Sequence, residues 1–205
     1  MRTRIIDERT VATDLLTSGG WALDVGARGY VFAREMARLG LRVVAVDPEP
    51  PPAGFAIEGV TVVEAGIVGV GHAGRATFAS WDNGEPDCLV GYGGPVPDRA
   101  RLREVATVDV RQLMGRFDVR QWDVVKMNCE GAEFDVLQTW PGPIAKQIAV
   151  SFHDHTGANP GGEETYRALL GHLAKWYDVE RHVWEDRYSA GFSFWDSLFV
   201  LRGPA

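Results

Sequence analysis

The chain has 205 residues, 45% of them hydrophobic, and a formal net charge of −7. That is enough apolar material for one full-sized α/β core, it excludes wholesale disorder, and it argues against the broad basic face of a nucleic-acid-binding protein. Two cysteines, Cys88 and Cys129, form no CxxC pair, which excludes a zinc ribbon or a redox motif and argues against a disulfide framework.

No apolar run is long enough to span a bilayer. The opening Met1–Glu8 breaks its apolar pair with Asp7 and Glu8, unlike a signal peptide, so a cytoplasmic protein is expected. In chain order, residues 9–18 read as a short leading helix within 1–20, with Val11, Leu15 and Leu16 on one face. Trp21–Val25 is a strand ending at Gly26, and Tyr30–Leu39 is a helix closed by Gly40. Leu41–Val46 is a second strand ending at Asp47, which completes a βαβ unit.

Val60–Glu64 is a third strand, followed by Ala65 and a glycine-rich run. Arg75–Ala79 is expected as an edge strand, and Val105–Val108 as a short one. Between them, residues 81–99 carry many glycines and prolines and little periodicity; such long loops are commonly functional, and this one is a candidate acceptor lid. Trp122–Met127 is a fourth core strand, Glu130–Trp140 a helix, Ile144–Phe152 a fifth strand and Glu163–Trp176 a longer helix. Tyr177–Trp184 and Phe194–Leu201 follow one another without a helix, so they form an antiparallel hairpin.

Strands alternating with helices give a single doubly wound, mostly parallel sheet with helices on both faces. With a C-terminal antiparallel β-hairpin, that pattern points to the class I methyltransferase Rossmann-like fold over residues 1–205. Ligands of such sheets sit outside the carboxyl ends of the strands. There the sequence places Asp24, Gly26, Ala27 and Arg28 after the first strand, Asp47 after the second and Ala65 after the third. Asp47 lies roughly 20 residues beyond the glycine turn, where a carboxylate accepts hydrogen bonds from ribose hydroxyls. The turn is GxxG rather than the GxGxxG of a dinucleotide site, and the acid Asp24 suits the cationic amino and sulfonium groups of S-adenosylmethionine better than a diphosphate.

Several segments resemble the FkbM-like methyltransferases. "ALDVGARGYVFAREMARLGLRVVAVDPEP" resembles that family's opening, D-V-G-A, a helix and an acid before proline. "WDVVKMNCEGAEFDVLQTW" resembles its second signature, I-K-I-D-x-E-G-A-E, "TVDVRQL" its preceding segment and "IAVSFHDH" the strand after it. The likeness covers about Trp21 to His155. It implies methyl transfer from S-adenosylmethionine, typically to a hydroxyl oxygen of a sugar, polyketide or similar small natural product. Asp24, Gly26 and Ala27 match the cofactor loop, Asp47 the ribose-binding acid, and Lys126, Glu130, Gly131 and Glu133 the second signature. The sequence departs at Asn128, where an aspartate is usual, and in the loop, where Arg28 replaces asparagine and Gly29 sits one place early.

Methylating an alcohol needs positioning and a base or metal. Candidates past the fourth and fifth strands are Lys126, Asn128, Glu130 and His153. His153 is the first choice of base because imidazole titrates near neutrality. Lys126 is expected to be buried, either as a base of lowered pKa or as the partner of Asp24, Glu130 or Glu133. A divalent metal on Glu130, Asp154 and His153 or His155 is a lesser alternative, since no spacing motif compels it. The compact chain leaves part of the acceptor site to the 81–99 loop or to a homodimer partner. A catalytically inactive nucleotide-binding scaffold and a nicotinamide oxidoreductase are the competing readings.

Overall fold

The computed structural model describes residues 1–80, 87–91, 100–154, 162–185 and 193–203, with backbone alone at 154, 162–163, 181–185 and 193–195. The strands are β1 (Thr3–Ile6), β2 (Arg9–Ala12), β3 (Trp21–Val25), β4 (Arg42–Asp47), β5 (Val60–Glu64), β6 (Gly66–Ile67), β7 (Arg75–Ser80), β8 (Cys88–Leu89), β9 (Arg101–Val108), β10 (Val124–Met127), β11 (Gln147–Asp154), β12 (Tyr177–Glu185) and β13 (Ser193–Leu201). The helices are α1 (Val31–Arg38), α2 (Val110–Phe117), α3 (Glu133–Gln138) and α4 (Gly162–Leu173).

Seven strands form the main sheet in the order β12-β13-β11-β10-β3-β4-β5. The inner pairings are parallel, and β13 alone runs against its neighbours β11 and β12. This is the class I methyltransferase order, and the final hairpin expected from sequence is the β12–β13 pair. Alternate residues of the parallel strands enter different cores, as the period of two requires. Leu23, Val25, Val44, Val46, Val125 and Met127 pack in the cluster that holds residues of α2, α3 and α4. Ala22, Val43, Ala45 and Val124 pack with Phe32, Ala33 and Met36 of α1 and with Ile6 and Val11.

Four expectations need correction. Residues 9–18 are not a helix: Arg9–Ala12 pairs antiparallel with Thr3–Ile6, and only a short 3-10 turn, Thr13–Leu15, follows. The β-branched Thr10 and Val11 favour the strand, and the Val11–Leu15 spacing that suggests a helix is coincidental. The hairpin turn, with Asp7 and Glu8 at φ 50 and 63, is hard to recognise because Glu8 stands where glycine is usual. Gln147, fully buried on β11, secures the hairpin: its Nε2 donates to the Ala12 carbonyl at 2.9 Å and its Oε1 accepts from the Ala12 N–H at 2.7 Å.

The expected edge strand at Arg75 is instead an inner strand of a separate four-stranded sheet, β6-β9-β7-β8. Helix α3 starts at Glu133 rather than Glu130, because Glu130 and Gly131 are left-handed, at φ 53 and 101. Helix α2 was not expected, although its start is signalled: the Asp109 carboxylate accepts from the Gln112 N–H and the Gln112 side chain accepts from the Asp109 N–H, a reciprocal cap. Other boundaries shift by a few residues. The expected lid at 81–99 lies outside the described residues except at 87–91.

Candidate functional site

The order β10-β3-β4 puts the sheet's switch point at β3, and a cleft opens at the carboxyl ends of these strands. It encloses about 100 Å³ among the described residues and is lined by Gly26 and Arg28 after β3, Asp47 at the end of β4, Ala65 after β5 and Asn128 and Glu130 after β10. The volume is below the ~300 Å³ common for small-molecule sites, so it accommodates part of such a ligand. Ile67, Phe78 and Leu89 of the small sheet form an apolar wall. Arg103 ties that sheet to the β4 end: its Nη2 donates to the Pro48 carbonyl at 2.6 Å and to Glu49 at 2.9 Å, and its guanidinium lies over the Phe78 ring.

The glycine turn is built by close approach. Gly26 has φ +69, and a Cβ there would fall 1.8 Å from the Asn128 carbonyl oxygen. Only glycine fits, because both the conformation and the space exclude a side chain. Lys126 Nζ donates to the Gly26 carbonyl at 2.8 Å and stands 3.0 Å from Asp24 Oδ1 and 3.9 Å from Asp7 Oδ2. Asp24 Oδ2 accepts from the Ala33 N–H at 3.2 Å, so this acid braces α1 and the turn. Burial pushes the Asp24 carboxyl up, and Lys126 opposes that shift. Asp24, Ala27 and Lys126 are buried outside the cleft lining; Gly26, Arg28, Asp47, Ala65, Asn128 and Glu130 are on it.

Asp47 is buried, and desolvation pushes its carboxyl up to about 6, against the Glu49 N–H that it accepts at 2.8 Å. Arg28 stands 3.4 Å from Asp87, which lies within the 81–99 stretch and also lines the cleft.

A second polar group lies under α3. Glu133 is fully buried and accepts from the N–H groups of Cys129 at 2.7 Å and Gly131 at 2.8 Å. Its Oε1 also accepts from His153 Nδ1 at 3.0 Å, and a carboxylate only accepts, so that ring nitrogen carries the proton. His153 Nε2 is 3.8 Å from Glu130, the carboxylate on the cleft. Burial pulls the His153 pKa down, but the charge and hydrogen bond of Glu133, aided by Glu130, outweigh it and the net shift is upward. Burial raises Glu133, and His153 with the backbone donors more than offsets this, so Glu133 is lowered. The sequence offers Lys126 as one possible partner of Glu133; the fold gives Lys126 to Asp24 and His153 to Glu133.

Among the described residues no cluster of three His, Cys, Asp or Glu side chains is placed to hold a metal. His155 lies outside the described residues and the Asp154 side chain is not described, so the Glu130, Asp154, His155 set is untouched by that result.

No family model matches the chain, and no curated protein matches it. Solved structures do. A TehB-like SAM-dependent methyltransferase from Corynebacterium glutamicum is 11% identical at TM-score 0.46, covering 93% of this chain and 86% of that one. A 1,6-didemethyltoxoflavin-N1-methyltransferase from Burkholderia thailandensis, with bound S-adenosylhomocysteine, is 15% identical at TM-score 0.43, over 91% and 72%. A 16S rRNA (adenine(1408)-N(1))-methyltransferase from Catenulisporales acidiphilia is 12% identical at TM-score 0.43, over the full length of both. The last two differ in acceptor, and at such distances none of the three carries an argument about this chain's reaction. The fold rests on the strand order.

Proposed function

We propose that the chain is an S-adenosylmethionine-dependent methyltransferase that methylates a hydroxyl oxygen on a sugar or another small natural product, as the FkbM-like resemblance implies. The observation that carries the reading is the cleft at the β10-β3-β4 switch point, with Asp47 facing it at the end of β4. An ionised Asp47 accepts the two ribose hydroxyls, and the wall of Ile67, Phe78 and Leu89 suits the flat adenine. When bound, the cofactor supplies a sulfonium-activated methyl group for in-line displacement.

The chain's own residues position the acceptor and take its proton. Glu133 fixes the His153 ring through Nδ1–H and leaves Nε2 toward Glu130, the carboxylate on the cleft. The proton of an acceptor hydroxyl passes by way of Glu130 to His153, whose charge Glu133 stabilises. Because His153 is raised, it becomes free to accept a proton only above the ordinary imidazole value of 6.5, so methyl transfer rises as pH passes through the folded value. The net charge of −7 favours a small acceptor over nucleic acid. This reading includes a cytoplasmic location and an acceptor site completed by the 81–99 stretch or by a second copy.

Calorimetry tests this reading. S-adenosylhomocysteine binds at micromolar concentration and NAD does not; binding of neither sinks the cofactor assignment. An acceptor screen in which methyl release is lost on His153→Ala separates an enzyme from an inactive scaffold of the same fold.

A further inference from the structure

The reaction proposed above leaves Arg9 without a role, yet it is a buried cation 7% exposed at the tip of the N-terminal hairpin. Its Nη2 donates to Asn128 Oδ1 at 2.9 Å, and its Nη1 stands 3.5 Å from Asp196 and 3.9 Å from Glu8. A guanidinium has only donors, so the Asn128 atom that meets it is the carbonyl oxygen. The NH₂ is then the edge not held by Arg9, on a residue that lines the cleft, and among the described residues it makes no hydrogen bond.

Asn128 follows β10 and Asp47 ends β4, with β3 between them. Two strand spacings separate them by roughly 10 Å. A ligand whose ribose rests on Asp47 and whose chain runs past Gly26 brings its amino-acid end to Asn128. That end carries a carboxylate, which needs donors. An aspartate at this position, usual in the resembling family, would offer only acceptors and a like charge.

We propose that Arg9 is a positioning residue: it holds the Asn128 carboxamide with its NH₂ toward the cleft, where it donates to the carboxylate of the cofactor's amino-acid end. The inference rests on the S-adenosylmethionine reading above. It gives the Asn128 departure a purpose and makes the hairpin part of the site.

Two probes separate the outcomes in calorimetry: S-adenosylhomocysteine, and 5′-methylthioadenosine, which keeps adenine and ribose but lacks the amino acid. Asn128→Asp weakens S-adenosylhomocysteine by about tenfold or more and changes 5′-methylthioadenosine by less than about twofold. Arg9→Met weakens only S-adenosylhomocysteine, by a smaller factor, and Arg9→Lys, which keeps a donor to Oδ1, restores most of the affinity. Retained 5′-methylthioadenosine binding shows that each variant is folded; if Arg9→Met does not fold, the Asn128→Asp comparison decides. If both probes bind the native chain and their affinity ratio is unchanged by Asn128→Asp, this inference fails while the cofactor reading stands. If neither binds the native chain, both fail.

Discussion

Asp47 shows how a single residue carries opposing demands. Its carboxyl is pushed from 3.8 to about 6 by burial, so its ionised form is disfavoured in the free protein by on the order of 2–3 kcal/mol. A folded pKa above the unfolded one means that stability is full below about pH 4 and is lost as pH rises through about 6. Asp47→Asn, which can still accept the Glu49 N–H, is therefore expected to raise the unfolding temperature at pH 8 and to leave it nearly unchanged at pH 4. Ribose hydroxyls favour the ionised acid, so the native chain should bind S-adenosylhomocysteine more weakly as pH falls below about 6. Asp47→Asn should bind it about tenfold more weakly with no such limb. A flat native profile, measured by calorimetry between pH 5 and 8, would remove Asp47 from the ribose role.

At the scale of elements, the N-terminal hairpin matters most. It is held to the main sheet by the Gln147 carboxamide, which pairs with both backbone groups of Ala12 as a neighbouring strand would. Gln147→Ala leaves a buried N–H and C=O without these partners, at a cost of roughly 2–4 kcal/mol. Chemical denaturation should show this as a lower midpoint. Hydrogen exchange should show the loss first in Arg9–Ala12, ahead of β3 and β4. Uniform loss of protection across the sheet would mean the hairpin is not a separately docked element. The small sheet is tethered differently, through Arg103 to Pro48 and Glu49 at the mouth of the cleft.

For the molecule as a whole, the buried Glu133–His153 pair links stability to pH from both sides. Glu133 is lowered, so its contribution is present above its ordinary value of 4.5 and is lost as pH falls through the folded value. His153 is raised, so its contribution is full below 6.5 and is lost as pH rises through its folded value. The pair therefore adds most between about 4.5 and 6.5, flanked by declining limbs. Glu133→Gln should lower stability by about 3–5 kcal/mol in that interval and flatten the alkaline limb. Thermal unfolding from pH 4 to 9 reads this directly. An unchanged alkaline limb would show that Glu133 does not set the His153 proton.

Most of the main sheet is legible in the sequence, because β-branched runs such as Arg42–Asp47 and the helix closed by Gly40 carry local signals. So are the cleft positions of Gly26 and Asp47, since strand ends and the spacing between them are local properties. The sequence by itself determines the doubly wound order of elements and which residues stand at the ligand-binding end. What only the tertiary structure decides is pairing. Arg9 meets Asn128 across 119 positions, Gln147 meets Ala12 across 135, and Lys126 turns to Asp24 while Glu133 takes His153. A buried polar group must find a partner, but which one depends on how distant strands align. No local pattern encodes that, and so a sequence that marks KMNCEGAE as a site leaves the work of each of its polar side chains to the fold.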